Sequence, residues 1–80
     1  MPVFLSKTSL KYLERLEKSL RSKIVKAIEG LPGEGDIKKM RGPGPSNLYR
    51  LRVGKYRVLY SWNEDIIRIV DIDTRGDIYK

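Results

Sequence analysis

Apolar residues fall into two rhythms along this chain. From Leu10 they recur at Leu13, Leu16, Leu20, Ile24, Ile28 and Leu31, steps of three and four that predict a helical stripe. Residues 2–5, just before it, are short and apolar and predict a first strand. Ser6 or Thr8 is placed to cap the helix start, and Gly30, followed by Pro32, to stop it. One helix over that span would run about 36 Å at about 1.5 Å per residue. A domain of this size is only about 30 Å across, from a radius of gyration of about 12 Å. The geometry therefore predicts a break near residues 17–19, with Ser19 capping a second helix.

After Leu31 the rhythm changes. Residues 32–35 read as a turn, 37–40 are too short to assign, and 42–47 form a loop rich in Gly and Pro. From Leu48 to Tyr60 apolar and polar positions alternate around Gly54-Lys55, the pattern of a two-residue hairpin whose type II′ turn needs glycine first. That turn pairs Val53 with Tyr56, Arg52 with Arg57, Leu51 with Val58, Arg50 with Leu59 and Tyr49 with Tyr60. Side chains alternate between faces along a strand. Tyr49, Leu51, Val53, Tyr56, Val58 and Tyr60 thus make a core face, and Arg50, Arg52, Arg57, Leu59 and Ser61 the other. Residues 63–65 form a second turn. Residues 66–72 are nearly all apolar and predict a central strand buried on both faces. The expected architecture is α+β: an N-terminal strand, a two-helix hairpin, then a three-stranded antiparallel meander with the helices on one face of the sheet.

The polar face of the hairpin places Arg52 opposite Arg57. Directly opposed like charges destabilise a sheet, so the arrangement points to an anionic partner. The alternative is that the arginines are solvated or paired with nearby carboxylates. Asp71 and Asp73 share a strand face by spacing and are the candidates for that neutralisation, or for accepting a proton.

Composition narrows the chemistry. The chain has 80 residues, room for one small domain over 1–80 with a thin core. It lacks cysteine and histidine, which removes thiol chemistry, disulfides, the commonest metal ligand and the commonest general base. No apolar run approaches membrane-spanning length and the N-terminus lacks a signal-peptide pattern; the expected location is the cytoplasm. With 17 basic and 10 acidic residues the net charge is +7, which favours nucleic acid or an acidic protein as partner.

The run Leu48-Tyr49-Arg50-Leu51-Arg52-x-Gly54-x-Tyr56-Arg57-Val58-Leu59-Tyr60 follows a paired-helix segment and a Lys-Lys-x-x-Gly loop. In this order, and with the terminal Arg75-Gly76-Asp77-Ile78-Tyr79, it resembles the RelE/ParE superfamily of toxins from toxin–antitoxin pairs. The resemblance covers almost the whole chain and implies a RelE-like fold. The RelE branch cuts mRNA in the ribosomal A site: the ribose 2′-hydroxyl attacks the adjacent phosphate and the 5′-oxygen leaves, with no metal or other cofactor. The ParE branch poisons DNA gyrase.

By that resemblance Arg57 matches the arginine that stabilises the phosphate. Arg50 and Arg52 fall where the RelE branch commonly carries lysines, and Tyr79 matches its C-terminal tyrosine. Arg75 lies near its C-terminal arginine cluster, although the place two residues earlier, where RelE-type sequences often hold an arginine, is here Asp73. Arginine is a poor general base, so Arg52 leaves proton transfer unassigned. Lys38, Lys39 and Arg41, with Lys55 in the turn, are the candidates for gripping ribosomal RNA, and otherwise a solvated loop. Tyr49, Tyr56, Tyr60 and Trp62 are expected to pack rather than stack on bases. The implied partners are a RelB-like antitoxin, the ribosome and mRNA. The leading expectation is a ribosome-dependent mRNA endonuclease. The alternatives are a ParE-like gyrase inhibitor and an attenuated antitoxin-binding homologue.

Overall fold

Ser6 is where the chain turns from sheet to helix. In the computed structural model, which describes residues 2–40 and 47–74, β1 (Val3–Leu5) leads into α1 (Lys7–Arg15), and Ser6 is the N-cap. Its Oγ accepts the backbone N–H of Ser9 at 3.1 Å, satisfying one of the donors that a helix start leaves open. Leu16 and Glu17 then take extended backbone angles, and α2 (Lys18–Glu29) follows, stopped at Gly30. The break thus falls where chain length required it. The cap differs from expectation: Glu17 holds the N-cap position without a side-chain hydrogen bond, and Ser19 lies in the first turn, its hydroxyl donating to Glu17 Oε1 at 2.5 Å.

The remaining strands are β2 (Asp36–Lys39), β3 (Leu48–Val53), β4 (Tyr56–Asn63) and β5 (Ile66–Thr74). They form a sheet in the order β1-β5-β4-β3-β2, antiparallel except for the parallel pair β1 and β5. The fold is α+β with two helices packed against this mixed sheet, as expected. The three-stranded meander is enlarged. Residues 36–39, too short to assign by pattern, are held as β2 because Ile37 pairs with the buried Leu51. Entry into β2 requires Gly35: its φ is 118°, and a Cβ there would come within 2.6 Å of Leu51 Cδ1.

The hairpin register is the expected one at every pair from Tyr49 with Tyr60 to Val53 with Tyr56, and Gly54 takes the left-handed φ of 59°. Leu13, Ile24, Ile28 and Leu31 from the helical layer close over Leu51, Val53, Tyr56, Val58, Tyr60, Ile67, Ile69 and Ile72. Leu10, counted in the helical stripe, is left half exposed. Trp62 and Tyr49 pack at the edge of this core, with Tyr49 stacked on Tyr60 at 5.5 Å between ring centroids. Among the described residues, no helix is long and apolar enough to cross a membrane.

β5 departs from expectation. It is buried on one face only: Ile67 and Ile69 are in the core, while Arg68 and Val70 are exposed. Tyr60 pairs with Ile69 but Leu59 pairs with Asp71, leaving Val70 as an extra residue. A bulge of this kind interrupts the ladder and reverses the inside-outside alternation beyond it. Ile72 therefore returns to the core, and Asp71 and Asp73 turn to the opposite face. Ser6 ties the start of α1 to β5 at this point: its hydroxyl donates to the Val70 carbonyl at 2.9 Å, and its N–H donates to the Ile69 carbonyl at 3.0 Å, extending the β1–β5 ladder.

Two outcomes test this packing. Ser6→Ala removes both the helix cap and the bond to the bulge, and should cost about 1–2 kcal/mol in denaturant unfolding. Tyr60 is fully buried and its hydroxyl has no hydrogen-bond partner. Burial, and secondarily the neighbouring Tyr49, push its pKa from 10.0 up to about 12. The neutral phenol is thus favoured in the fold. Its contribution is complete below the unfolded value and is lost as the pH rises from 10.0 to about 12. Tyr60→Phe should be neutral or stabilising by up to about 1 kcal/mol at neutral pH and should flatten the alkaline loss of stability. Unfolding curves measured at neutral and alkaline pH check both parts.

Candidate anion site on the face away from the helices

Alternation in β3 and β4 sends Arg50, Arg52 and Arg57 to the side of the sheet opposite the helices. β2 adds Asp36 opposite Arg52, and Lys38 opposite Arg50. β5 adds Asp73 opposite Arg57, and Asp71 opposite Leu59. One row across four adjacent strands thus reads Asp36, Arg52, Arg57, Asp73. The next reads Lys38, Arg50, Leu59, Asp71. The opposed arginines are accommodated by carboxylates at both ends of their row, which makes that row formally neutral.

Distances show how firmly each arginine is held. Arg57 Nε lies 3.4 Å from Asp73 Oδ1. Arg52 Nε lies 3.7 Å from Asp36 Oδ2, and an Arg50 terminal nitrogen 3.7 Å from Asp36 Oδ1. Strong charge-assisted hydrogen bonds are about 2.7–2.9 Å long, so both contacts to Asp36 are loose. Nε of Arg50 and Nε of Arg52 are shielded from water and make no hydrogen bond among the described residues. Exposure divides the cluster. The side chains of Arg50 and Arg57 are 8% and 9% exposed, whereas Arg52 is 37% and Asp36 57% exposed. Water and ligands reach the site from the β2 side.

The other candidates are scattered. Lys38 lies on the arginine face and is exposed, while Lys39 pairs with Tyr49 and so belongs to the opposite face. Lys55 stands exposed at the hairpin tip with its ammonium 5.7 Å from the Tyr56 ring, on the core side. Arg41, Arg75 and Tyr79 lie outside the described residues. Asp71 Oδ1 accepts the Ile72 N–H at 3.0 Å. Asp36 is the member that sequence reasoning missed. The usable signal was the alternation of Asp36 and Lys38 around Ile37, visible only once those residues are seen as a strand.

The two flanks should respond differently to loss of their carboxylate. Asp73→Asn removes the carboxylate 3.4 Å from the buried Arg57 and should cost about 1–3 kcal/mol of stability. Asp36→Asn removes a carboxylate that is itself 57% exposed and touches Arg50 and Arg52 only at 3.7 Å, and should cost less than Asp73→Asn. Urea unfolding of the two variants side by side provides the comparison.

A fold of this kind has known counterparts. Residues 3–79 match the family described as the ParE toxin of the type II toxin–antitoxin system parDE. No curated protein matches the chain significantly. Among solved structures, a chain of the RelB–RelE antitoxin–toxin complex from Methanococcus jannaschii is 33% identical, with a TM-score of 0.76 over 95% of this chain and 94% of that one. A chain of the archaeal RelE–RelB complex from Pyrococcus horikoshii OT3 is 29% identical, with a TM-score of 0.74 over 94% of each. YafQ from E. coli strain BL21(DE3) shares the fold, with a TM-score of 0.74 over 98% of this chain and 97% of that one, at only 10% identity. Family match and whole-length structural likeness agree that this chain belongs to the RelE/ParE superfamily of type II toxin–antitoxin toxins.

Proposed function

We propose that this toxin is a ribosome-dependent mRNA endonuclease that cleaves in the A site and so inhibits translation. The observation that carries the reading is the gathering of Arg50, Arg52 and Arg57 on one sheet face, with Arg52 accessible from the β2 side. In the reaction the 2′-oxygen bonds to phosphorus while the bond from phosphorus to the 5′-oxygen breaks, giving a 2′,3′-cyclic phosphate and a 5′-hydroxyl. The phosphorane-like transition state gathers negative charge on its oxygens, and preorganised cations stabilise that charge more than they stabilise the starting diester. A guanidinium keeps its proton, so the 2′-hydroxyl proton passes to water or to a carboxylate, with Asp71 and Asp73 on the same face, and the leaving 5′-oxygen takes up a proton from water. Arg57 and Arg52 are assigned to the scissile phosphate and Arg50 to its neighbourhood. Arg75 and Tyr79 are the further catalytic candidates from the C-terminal segment. Lys38, Lys39, Arg41 and Lys55, aided by the basic residues of α1 and α2, would attract ribosomal RNA through their field.

The likeness to toxin chains seen in RelB–RelE complexes supports an antitoxin as protein partner. An acidic or amphipathic antitoxin segment that folds on binding would cover the basic face. The match to the ParE family model favours a second reading, inhibition of DNA gyrase without nuclease activity.

Primer extension on a translated mRNA separates the two. Wild-type protein should give stops at A-site codons, reduced about 10²-fold or more by Arg52→Ala and by Arg57→Ala. Arg52→Ala matters because Arg57 is buried beside Asp73 and its loss also weakens the fold. Stops no more frequent with wild type than with Arg52→Ala would sink the nuclease reading. A supercoiling assay should show no inhibition at saturating toxin; inhibition there without mRNA cleavage would establish the gyrase reading instead.

A further inference from the structure

Asp36 holds an odd position for an acid in a phosphate-binding face. It lies on edge strand β2, on whose outer side no strand pairs among the described residues, and its two carboxylate oxygens reach separate arginines. Oδ1 is 3.7 Å from Arg50 and Oδ2 is 3.7 Å from Arg52. A phosphodiester offers the same arrangement: one negative charge shared over two oxygens that can meet two guanidiniums. Both contacts to Asp36 exceed hydrogen-bond length, and Nε of Arg50 and of Arg52 remain without hydrogen-bond partners among the described residues. The arginines are thus set for an anion but not saturated by the one they have.

We propose that Asp36 is an internal surrogate for the phosphate: in the free protein it stands in the anion position between Arg50 and Arg52, and it swings out to water when a nucleic-acid phosphate takes its place. Asp36 thereby sets the affinity of the site. This rests on reading Arg50 and Arg52 as phosphate ligands.

Geometry separates Asp36 from the other flanking acid. Asp73 lies on the interior strand β5, its side chain is 28% exposed, and it contacts an arginine whose side chain is 9% exposed. It has little room to leave. Asp36 is 57% exposed at a sheet edge and can rotate into solvent. Its contact with Arg50 reaches a buried guanidinium, but both contacts are 3.7 Å long and the carboxylate itself stands in water; such loose pairs are weakly held, so a phosphate can displace it. Without it, a bound phosphate is relieved of a competing like charge only a few ångströms away.

The test is equilibrium binding of a short single-stranded oligodeoxynucleotide, which lacks the 2′-hydroxyl and cannot be cleaved. Asp36→Asn should bind about tenfold tighter than wild type, in line with removing about 1.4 kcal/mol of repulsion. Glu14→Gln, which makes the same charge change on the exposed side of α1, should stay within about twofold, because surface charges beyond a Debye length are largely screened. The gain should shrink when Asp36→Asn is made on an Arg52→Ala background, since the two residues act on one anion. Asp36→Ser removes the same charge and replaces Asn should that variant unfold on heating earlier than wild type. An Asp36→Asn affinity no better than that of Glu14→Gln overturns the proposal, as does a gain that persists undiminished on the Arg52→Ala background. Oligonucleotide binding absent in every variant removes the phosphate site and the proposal together. Tighter binding in Asp36→Asn, with no cleavage of translated mRNA by wild type, keeps the role of Asp36 and removes only the nuclease reading.

Discussion

Two guanidiniums face one another across β3 and β4, and most of the arrangement around them follows from that. Arg52 and Arg57 are fixed opposite each other by the Gly54-Lys55 turn. A pair of like charges at that spacing costs stability unless counter-charge stands beside it. The strands on either side supply it: β2 brings Asp36 next to Arg52, and β5 brings Asp73 next to Arg57. The edge strand and the bulged strand are therefore part of the site as well as of the sheet.

The bulge at Val70 links this electrostatic requirement to the core. β5 has to place Ile67, Ile69 and Ile72 under the helices and Asp71 and Asp73 on the other side. A regular strand cannot do this, because its alternation would put Asp71 beneath the helices with Ile69. One extra residue changes the parity and serves both faces. Beside it, Ser6 bonds the Ile69 and Val70 carbonyls while capping α1. A single serine thus joins the first helix to the strand that neutralises the arginines.

The site is unevenly built. On the β5 side, Arg57 and Asp73 are mostly enclosed and held in a fixed geometry. On the β2 side, Arg52 and Asp36 are open and loosely paired. On the proposed nuclease reading, such asymmetry suits a site that has to receive a phosphate. One flank fixes the geometry while the other exchanges its counter-ion.

Much of this was legible along the chain. The spacing from Leu10 to Leu31 carried the helices, the length of that stripe carried the break, and the alternation around Gly54 carried the hairpin register and the arginine face. These are local rules, set by periodicity and by the positive φ of one glycine. The apolar run after residue 65 misled because a continuous stretch of Ile and Val looks the same whether a strand is buried on both faces or on one. Its three-residue step from Ile69 to Ile72 acquires meaning only when β4 is alongside and one residue is left without a partner. β2 was hidden because four residues carry too little pattern, and it exists because Ile37 can pair with Leu51. Local pattern along the chain thus set the two helices, the hairpin turn and which hairpin residues share a face. Which carboxylates meet the arginines was decided by tertiary structure, since it depends on strand neighbours and on one shift of register, and neither is a property of any single segment.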